Sequence, residues 1–186
     1  NTAYSTLTYG YTASTVTSIP NSDIVDWVLV ELRTGTASGT KVATRAAFLK
    51  RDGTIVDVDG TSLLKFAGLG DGNYYVVVRH RNHLAIMSAS SIPLTSNSVL
   101  YNFSTAQLQA YGTNAMIDVG GGVFGMWMGD SDASGVIDVT DRANTWNLRN
   151  ASGVYNGSDT DLSSVIDVSD RANTWNNRNN QTQVPN

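Results

Sequence analysis

Cysteine is absent from the 186 residues, which excludes both a disulfide framework and thiolate metal sites. Glutamate occurs once, at Glu31, against fifteen aspartates. Glutamate favours helix interiors, whereas aspartate favours caps, turns and loops that hold hard cations, so the imbalance argues against a helical protein. No apolar run approaches the roughly 18 residues of a membrane span. Lysine and arginine are too scattered for a nucleic-acid surface. No nucleophile elbow, phosphate loop or dinucleotide fingerprint occurs, and the reading is therefore of a non-enzymatic chain.

Threonine, serine, asparagine and glycine, with eight tyrosines and four tryptophans, make the blend expected of strands and turns around a real core. The net charge is −4, but eight of the fifteen aspartates lie in the windows 130–141 and 159–170. Without those eight the remainder would carry +4. Acidity this local, at a fixed spacing, points to a bound cation rather than to a general surface property.

The two windows belong to a repeat. "VIDVTDRANTWN" begins at Val136 and "VIDVSDRANTWN" at Val165, 29 residues later, with eleven of twelve residues identical. Counted from Asp130, positions 1, 3, 5, 7, 9 and 12 are Asp130, Asp132, Ser134, Val136, Asp138 and Asp141. Counted from Asp159 they are Asp159, Asp161, Ser163, Val165, Asp167 and Asp170. This is an EF-hand-type schedule: side-chain oxygens alternate along a tight loop, position 7 lends its carbonyl, and position 12 reaches back from the following helix. The spacing predicts two calcium ions. Position 12 is aspartate rather than the longer glutamate, so two-oxygen capture requires a closer helix. Position 6 is Gly135 in the first loop but Ser164 in the second, where a glycine-like backbone angle is costly. Ile137 and Ile166, at position 8, are expected to pack against each other. Ala143 with Trp146, and Ala172 with Trp175, give each following helix one narrow apolar face. So small a segment buries too little to fold alone, and calcium binding and folding are expected to be one event.

Residues 129–179 resemble a dockerin-type repeat, in which each paired loop is followed by a single helix and lacks an entering one. The resemblance implies docking to another protein. The helix faces here carry Trp146, Arg149, Trp175 and Arg178 instead of the basic and hydroxyl pairs usual in cohesin-binding dockerins.

From residue 22 to 128 short strands alternate with turns. "DIVDWVLVELR" (23–33) is apolar on both faces and reads as a central strand. Asp52-Gly53 marks a hairpin within "KVATRAAFLKRDGTIVDVDG". "GDGNYYVVVRHRNHLAIMS" (70–88) reads as one further central strand, and "SVLYNF" (98–103) and "GGVFGMWM" (122–128) complete the set. The pattern predicts a mainly β protein, an Ig-like antiparallel β-sandwich, ahead of the calcium segment at 129–186. On a strand, His80 and His83 would point to opposite faces, which speaks against a zinc or catalytic pair and for side chains that bond neighbouring loops and carboxylates. Gly120-Gly121-Gly122 reads as a turn. The phrases "IVDWVLVELR", "GTIVDVDGTS", "YYVVVRHRNHLAIMS" and "QAYG", with the repeat and a terminal "QVPN", resemble a C-terminal module of hemagglutinin-like surface proteins of Bacteroidetes-type bacteria. That resemblance implies secretion, surface display and an adhesive or matrix role.

Residues 1–21 are uncharged and strand-friendly, with Leu7, Tyr9 and Tyr11 in alternation. They form either a first strand of their own sandwich or a strand donated to a neighbouring subunit, which head to tail would build a filament. A chain opening on Asn1 is expected to follow signal-peptide removal. The composite expectation is a secreted structural protein of the cell surface or extracellular matrix that polymerises by strand addition. The alternative is a docking or adhesion module for a protein or glycan ligand.

Overall fold

The structure, a computed structural model, describes residues 2–3, 9–12, 14–153 and 155–186. It is mainly β, with antiparallel strand pairs and two short α-helices late in the chain. Two compact units emerge, one of Asn1–Val78, Ser90–Leu100 and Pro185–Asn186, the other of Arg79–Ala89 and Tyr101–Val184. Among the described residues, no helix is long and apolar enough to cross a membrane.

The short elements β1 (Thr2–Ala3) and β2 (Ser14–Thr15) open the chain, followed by β3 (Ile24–Arg33), β4 (Lys41–Lys50) and β5 (Ile55–Val56). β3 and β4 pair antiparallel, with Trp27 opposite Phe48 and Leu29 opposite Ala46. The sheet order runs β5, β4, β3 and then β6 (Gly72–His80), whose first residues also pair with β8 (Ile92–Leu94). β3 is buried from Asp26 to Arg33, so both its faces are covered, as the apolar residues on both faces of its sequence predict. Trp27, Leu29, Ala46, Phe48 and Val56 form a core on one face, with the Trp27 and Phe48 rings 4.1 Å apart. The Asp52-Gly53 hairpin forms as expected: Gly53 takes a φ of +84°, and the Lys50 N–H donates to the Thr54 carbonyl at 2.9 Å.

Asp26, Glu31 and Arg33 are charged residues buried in this unit. Glu31 and Arg33 sit on β3, with Nε 2.5 Å from Oε1. The Arg33 Nη1 also donates to the carbonyls of Thr36 (2.8 Å) and Pro185 (2.7 Å). A guanidinium out of water needs all of these acceptors, and it thereby ties the end of the chain to the strand.

Of the region 1–21, residues 1, 4–8 and 13 lie outside the described residues. β1 pairs with β2, Thr2 opposite Thr15 and Ala3 opposite Ser14. Tyr9, Tyr11 and Val16 pack against the core of their own unit. The Tyr11 hydroxyl accepts the Ala46 N–H at 3.2 Å and shares a 2.7 Å hydrogen bond with the Ser14 hydroxyl.

The stretch 70–88, which runs from the first unit into the second, is not one strand. A two-residue turn at Arg81-Asn82 separates β6 from β7 (His83–Met87). "SVLYNF" is not a strand either. Val99 and Leu100 are exposed, and Asn102 caps a 3-10 turn at Phe103–Thr105 by accepting the Ser104 N–H. An asparagine that satisfies the backbone locally competes with a sheet ladder. β9 (Ile117–Gly120) and β10 (Val123–Gly125) form a hairpin whose Gly120-Gly121-Gly122 corner has three left-handed residues. The helices are α1 (Val139–Asn147) and α2 (Val168–Asn176). This unit extends well before residue 129, because β7 is bonded into it. The Leu84 N–H donates to the Trp127 carbonyl, the Gly129 N–H to that of Asn82, and the Thr182 hydroxyl to that of Ala85, each at 2.8 Å.

Phe48 is fully buried in the first core. Phe48→Ala is expected to lower unfolding stability by about 3–5 kcal/mol, read as a shift of the urea midpoint with an unchanged slope.

Candidate metal centre

Each loop gathers three carboxylates. Oxygens of Asp130, Asp132 and Asp141 lie within 4.8 Å of one another, and so do those of Asp159, Asp161 and Asp170. The backbone makes this happen by using some carboxylate lone pairs and leaving others. Asp130 Oδ2 accepts the Gly135 N–H at 3.0 Å, and Asp159 Oδ2 accepts the Ser164 N–H at 3.1 Å. Asp141 Oδ1 accepts the Ser131 N–H at 2.7 Å, and its Oδ2 accepts that of Asp138 at 2.8 Å. Asp170 repeats this with Thr160 (2.6 Å) and Asp167 (2.8 Å). The position-5 hydroxyls of Ser134 and Ser163 each donate to the carbonyl of Val136 or Val165 at 3.1 Å, so these oxygens also converge.

Position 9 behaves differently. Asp138 and Asp167 are helix N-caps that accept the N–H of Thr140 and Ser169 at 2.6 Å. Neither belongs to the carboxylate cluster of its loop. Each forms a capping box with the position-12 aspartate, which explains how the shorter side chain still reaches the loop: the cap pulls the first helical turn inward.

The clusters are costly without a cation. Burial, reinforced by the charges of Asp141 and Asp132, pushes the Asp130 carboxyl up to about 7. Burial also raises Asp141 and Asp159. The Asp159 side chain is 3% exposed, and its Oδ1 is buried with no hydrogen-bond partner among the described residues. A buried carboxylate oxygen without a partner, on a residue grouped with two more carboxylates and with the Arg81 Nη2 3.6 Å from its other oxygen, belongs to an all-oxygen ligand set that fits a hard divalent cation.

The repeat folds as a reciprocal pair. The Asn179 N–H donates to the Ile137 carbonyl (2.8 Å) and the Ile137 N–H to that of Asn180 (2.9 Å). Twenty-nine residues away, the Asn150 N–H donates to the Ile166 carbonyl (2.8 Å) and the Ile166 N–H to that of Ala151 (2.9 Å). Each loop is thus bridged to the segment that follows the other loop's helix. Ile137 and Ile166 are both fully buried, but their backbone partners are these post-helix segments, not each other. Cation–π contacts follow the same symmetry: Arg142 lies 4.2 Å over Trp175 and Arg171 lies 4.7 Å over Trp146.

The helices bury a face other than the one their apolar residues mark. Asp141 with Thr145, and Asp170 with Thr174, point inward, while Ala143, Ala172 and Trp146 are exposed. The loop fixes this rotation, because position 12 must face it. Trp146 and Trp175 are instead covered by guanidinium groups, those of Arg149 and Arg178 included.

The "RHRNH" stretch converges on the second loop. His80 and His83 do not diverge as on one strand, since the intervening turn brings their rings edge to face at 4.6 Å. Both share the Asn82 Oδ1, at 2.9 and 2.6 Å, and the Asn82 Nδ2 donates to the Asp159 carbonyl at 2.5 Å. Nothing in linear spacing announced this contact across 77 residues.

No family model matches the chain, and no curated protein matches it. Two solved structures are similar. Both are type II cohesin–X-dockerin complexes from Acetivibrio cellulolyticus, one an N-terminal and the other a C-terminal interface mutant. Identity is 17% and 15%, and the likeness covers 91% of this chain and 90% of the other, with a TM-score of 0.47 in each case. A likeness of this depth leaves fold and function to be argued from the chain's own geometry.

Two outcomes follow. Without a cation the fold holds a proton on Asp130 up to about pH 7, whereas the unfolded chain releases it near 3.8, so this group's contribution to stability is lost as pH rises through that window. A divalent cation replaces the proton, so the rise in melting temperature on adding calcium should be small at pH 5 and large at pH 7.5. An equal rise at both would contradict the site. Ser164 adopts a φ of +68° where the first loop has glycine. Ser164→Gly should stabilise the calcium-loaded protein by about 1 kcal/mol in denaturant titrations.

Proposed function

We propose that the chain is a non-enzymatic structural module of a secreted or surface-displayed protein, a β-sandwich joined to a dockerin-like repeat that two calcium ions rigidify. The observation that carries this reading is the doubled carboxylate cluster, in which the buried Asp159 Oδ1 lacks a partner. Asp130, Asp132, Ser134, the Val136 carbonyl and Asp141 would hold one ion. Asp159, Asp161, Ser163, the Val165 carbonyl and Asp170 would hold the other. Asp138 and Asp167, as caps, would reach theirs through water. The cations would relieve carboxylate repulsion and let the reciprocal bridges form, which is a structural task. The sandwich is supported by the burial of both faces of β3.

The module acts on this reading through protein partners. Val139, Val168 and Trp146 are exposed on the helix pair and stand among Arg142, Arg149, Arg171 and Arg178, a surface suited to a protein with an apolar centre and acidic rim. A second reading is self-assembly into filaments by donation of residues 1–21, in which a neighbour's copy would supply the core contacts that Tyr9, Tyr11 and Val16 make within their own unit here.

Calorimetric titration should register two calcium ions per chain, and a chain that takes up none would end the reading. Negative-stain microscopy of the calcium-loaded protein separates the two modes of assembly. Filaments that vanish on deletion of residues 1–20 support donation, and monodisperse particles support docking.

A further inference from the structure

The two repeats share their main loop contacts, and one difference lies at the first ligand of each loop. Asp130 accepts the Gly135 N–H and has no ion pair with a basic side chain among the described residues. Asp159 accepts the matching Ser164 N–H, and in addition the Arg81 Nη2 lies 3.6 Å from its Oδ2.

Arg81 is built into this position. Its side chain is 10% exposed, its guanidinium lies 4.4 Å over the Tyr155 ring, and its Nη1 donates to the Asn156 carbonyl. The next residue, Asn82, binds the Asp159 carbonyl through its side chain and the Gly129 N–H through its own carbonyl. Gly157, inside the gripped segment, has no room for a side chain, since a Cβ there would come within 2.3 Å of the Ser131 carbonyl oxygen. The turn between β6 and β7 thus holds the start of the second loop from three sides.

We infer that Arg81 is an internal cationic competitor at the second calcium loop, holding Asp159 while the site is empty and opposing the ion as it arrives, so that the first loop fills first. This rests on the calcium reading proposed above. The physical basis is a fixed positive charge beside a ligand carboxylate. It supplies part of the neutralisation that calcium would otherwise supply alone, and it repels a dication bound to the same group, in a setting with little water to screen it. A chain whose two loops are otherwise near-duplicates thereby acquires two affinities. The weaker site sits where the repeat is bonded to Arg81 and Asn82, so its occupancy reports on that junction.

The test is a calcium titration of the full chain followed by calorimetry and by amide NMR of Gly135 and Ser164, the position-6 residues. In the unaltered protein Gly135 is expected to shift before Ser164. Simultaneous shifts, or Ser164 first, would overturn the inference without requiring any variant. In Arg81→Gln the weaker step should strengthen about tenfold while the stronger is unchanged, and Arg81→Lys, which keeps the charge, should stay near the original weaker step. An Arg81→Gln protein that binds as the original does, or more weakly at the second loop, also overturns it. If the unaltered chain gives neither heat nor amide shifts, the calcium reading falls as well, a result distinct from two ions bound with Arg81 irrelevant.

Discussion

Three carboxylates drawn within 4.8 Å of one another, twice over, are the constraint on which the late part of this chain depends. In water such a group would spread apart. Here the N–H groups of residues 131, 135 and 138, and of 160, 164 and 167, hold the oxygens in place while burial removes their solvent. Burial and the charges of Asp141 and Asp132 raise the Asp130 carboxyl as a consequence of that conflict. The proposed divalent cation would resolve it, because it would convert mutual repulsion into shared attraction at a site already shaped by the backbone.

The reciprocal bridges give this local chemistry a wider consequence. Since Ile137 is hydrogen-bonded to the segment after α2, and Ile166 to the segment after α1, neither loop can loosen without releasing the far end of the other repeat. Two ions bound on this arrangement, as proposed, would act as a single staple. Trp146, exposed and stacked with Arg149 and Arg171, would then belong to a rigid surface rather than to the core.

Much of this was legible in the chain. Ligand spacing placed the clustered carboxylates, the Asp52-Gly53 pair placed a hairpin, and the apolar residues on both faces of β3 announced a strand covered on both sides. What escaped has physical reasons. Asp138 and Asp167 fit a ligand schedule, but they stand one residue before a helix, where an unpaired N–H claims them as caps. Ala143 and Trp146 mark an apolar face, yet helix rotation is set by Asp141, and a turn of that size buries what the loop dictates. The Arg81-Asn82 turn carries no glycine or proline, so the strand text seemed continuous, and the pairing of Arg81 with Asp159 is a long-range contact that no local pattern encodes. The boundary read at residue 129 failed to anticipate that β7 belongs with the repeat, for the same reason.

The most direct measurement is hydrogen exchange of the backbone amides of residues 134–137 and 163–166, with calcium and after chelation. The account predicts strong protection with the ion and collapse of protection in both loops together once it is removed, while β3 and β4 stay protected. Equal protection in the two conditions would contradict it, since the acidic clusters would then hold their shape with nothing to neutralise them.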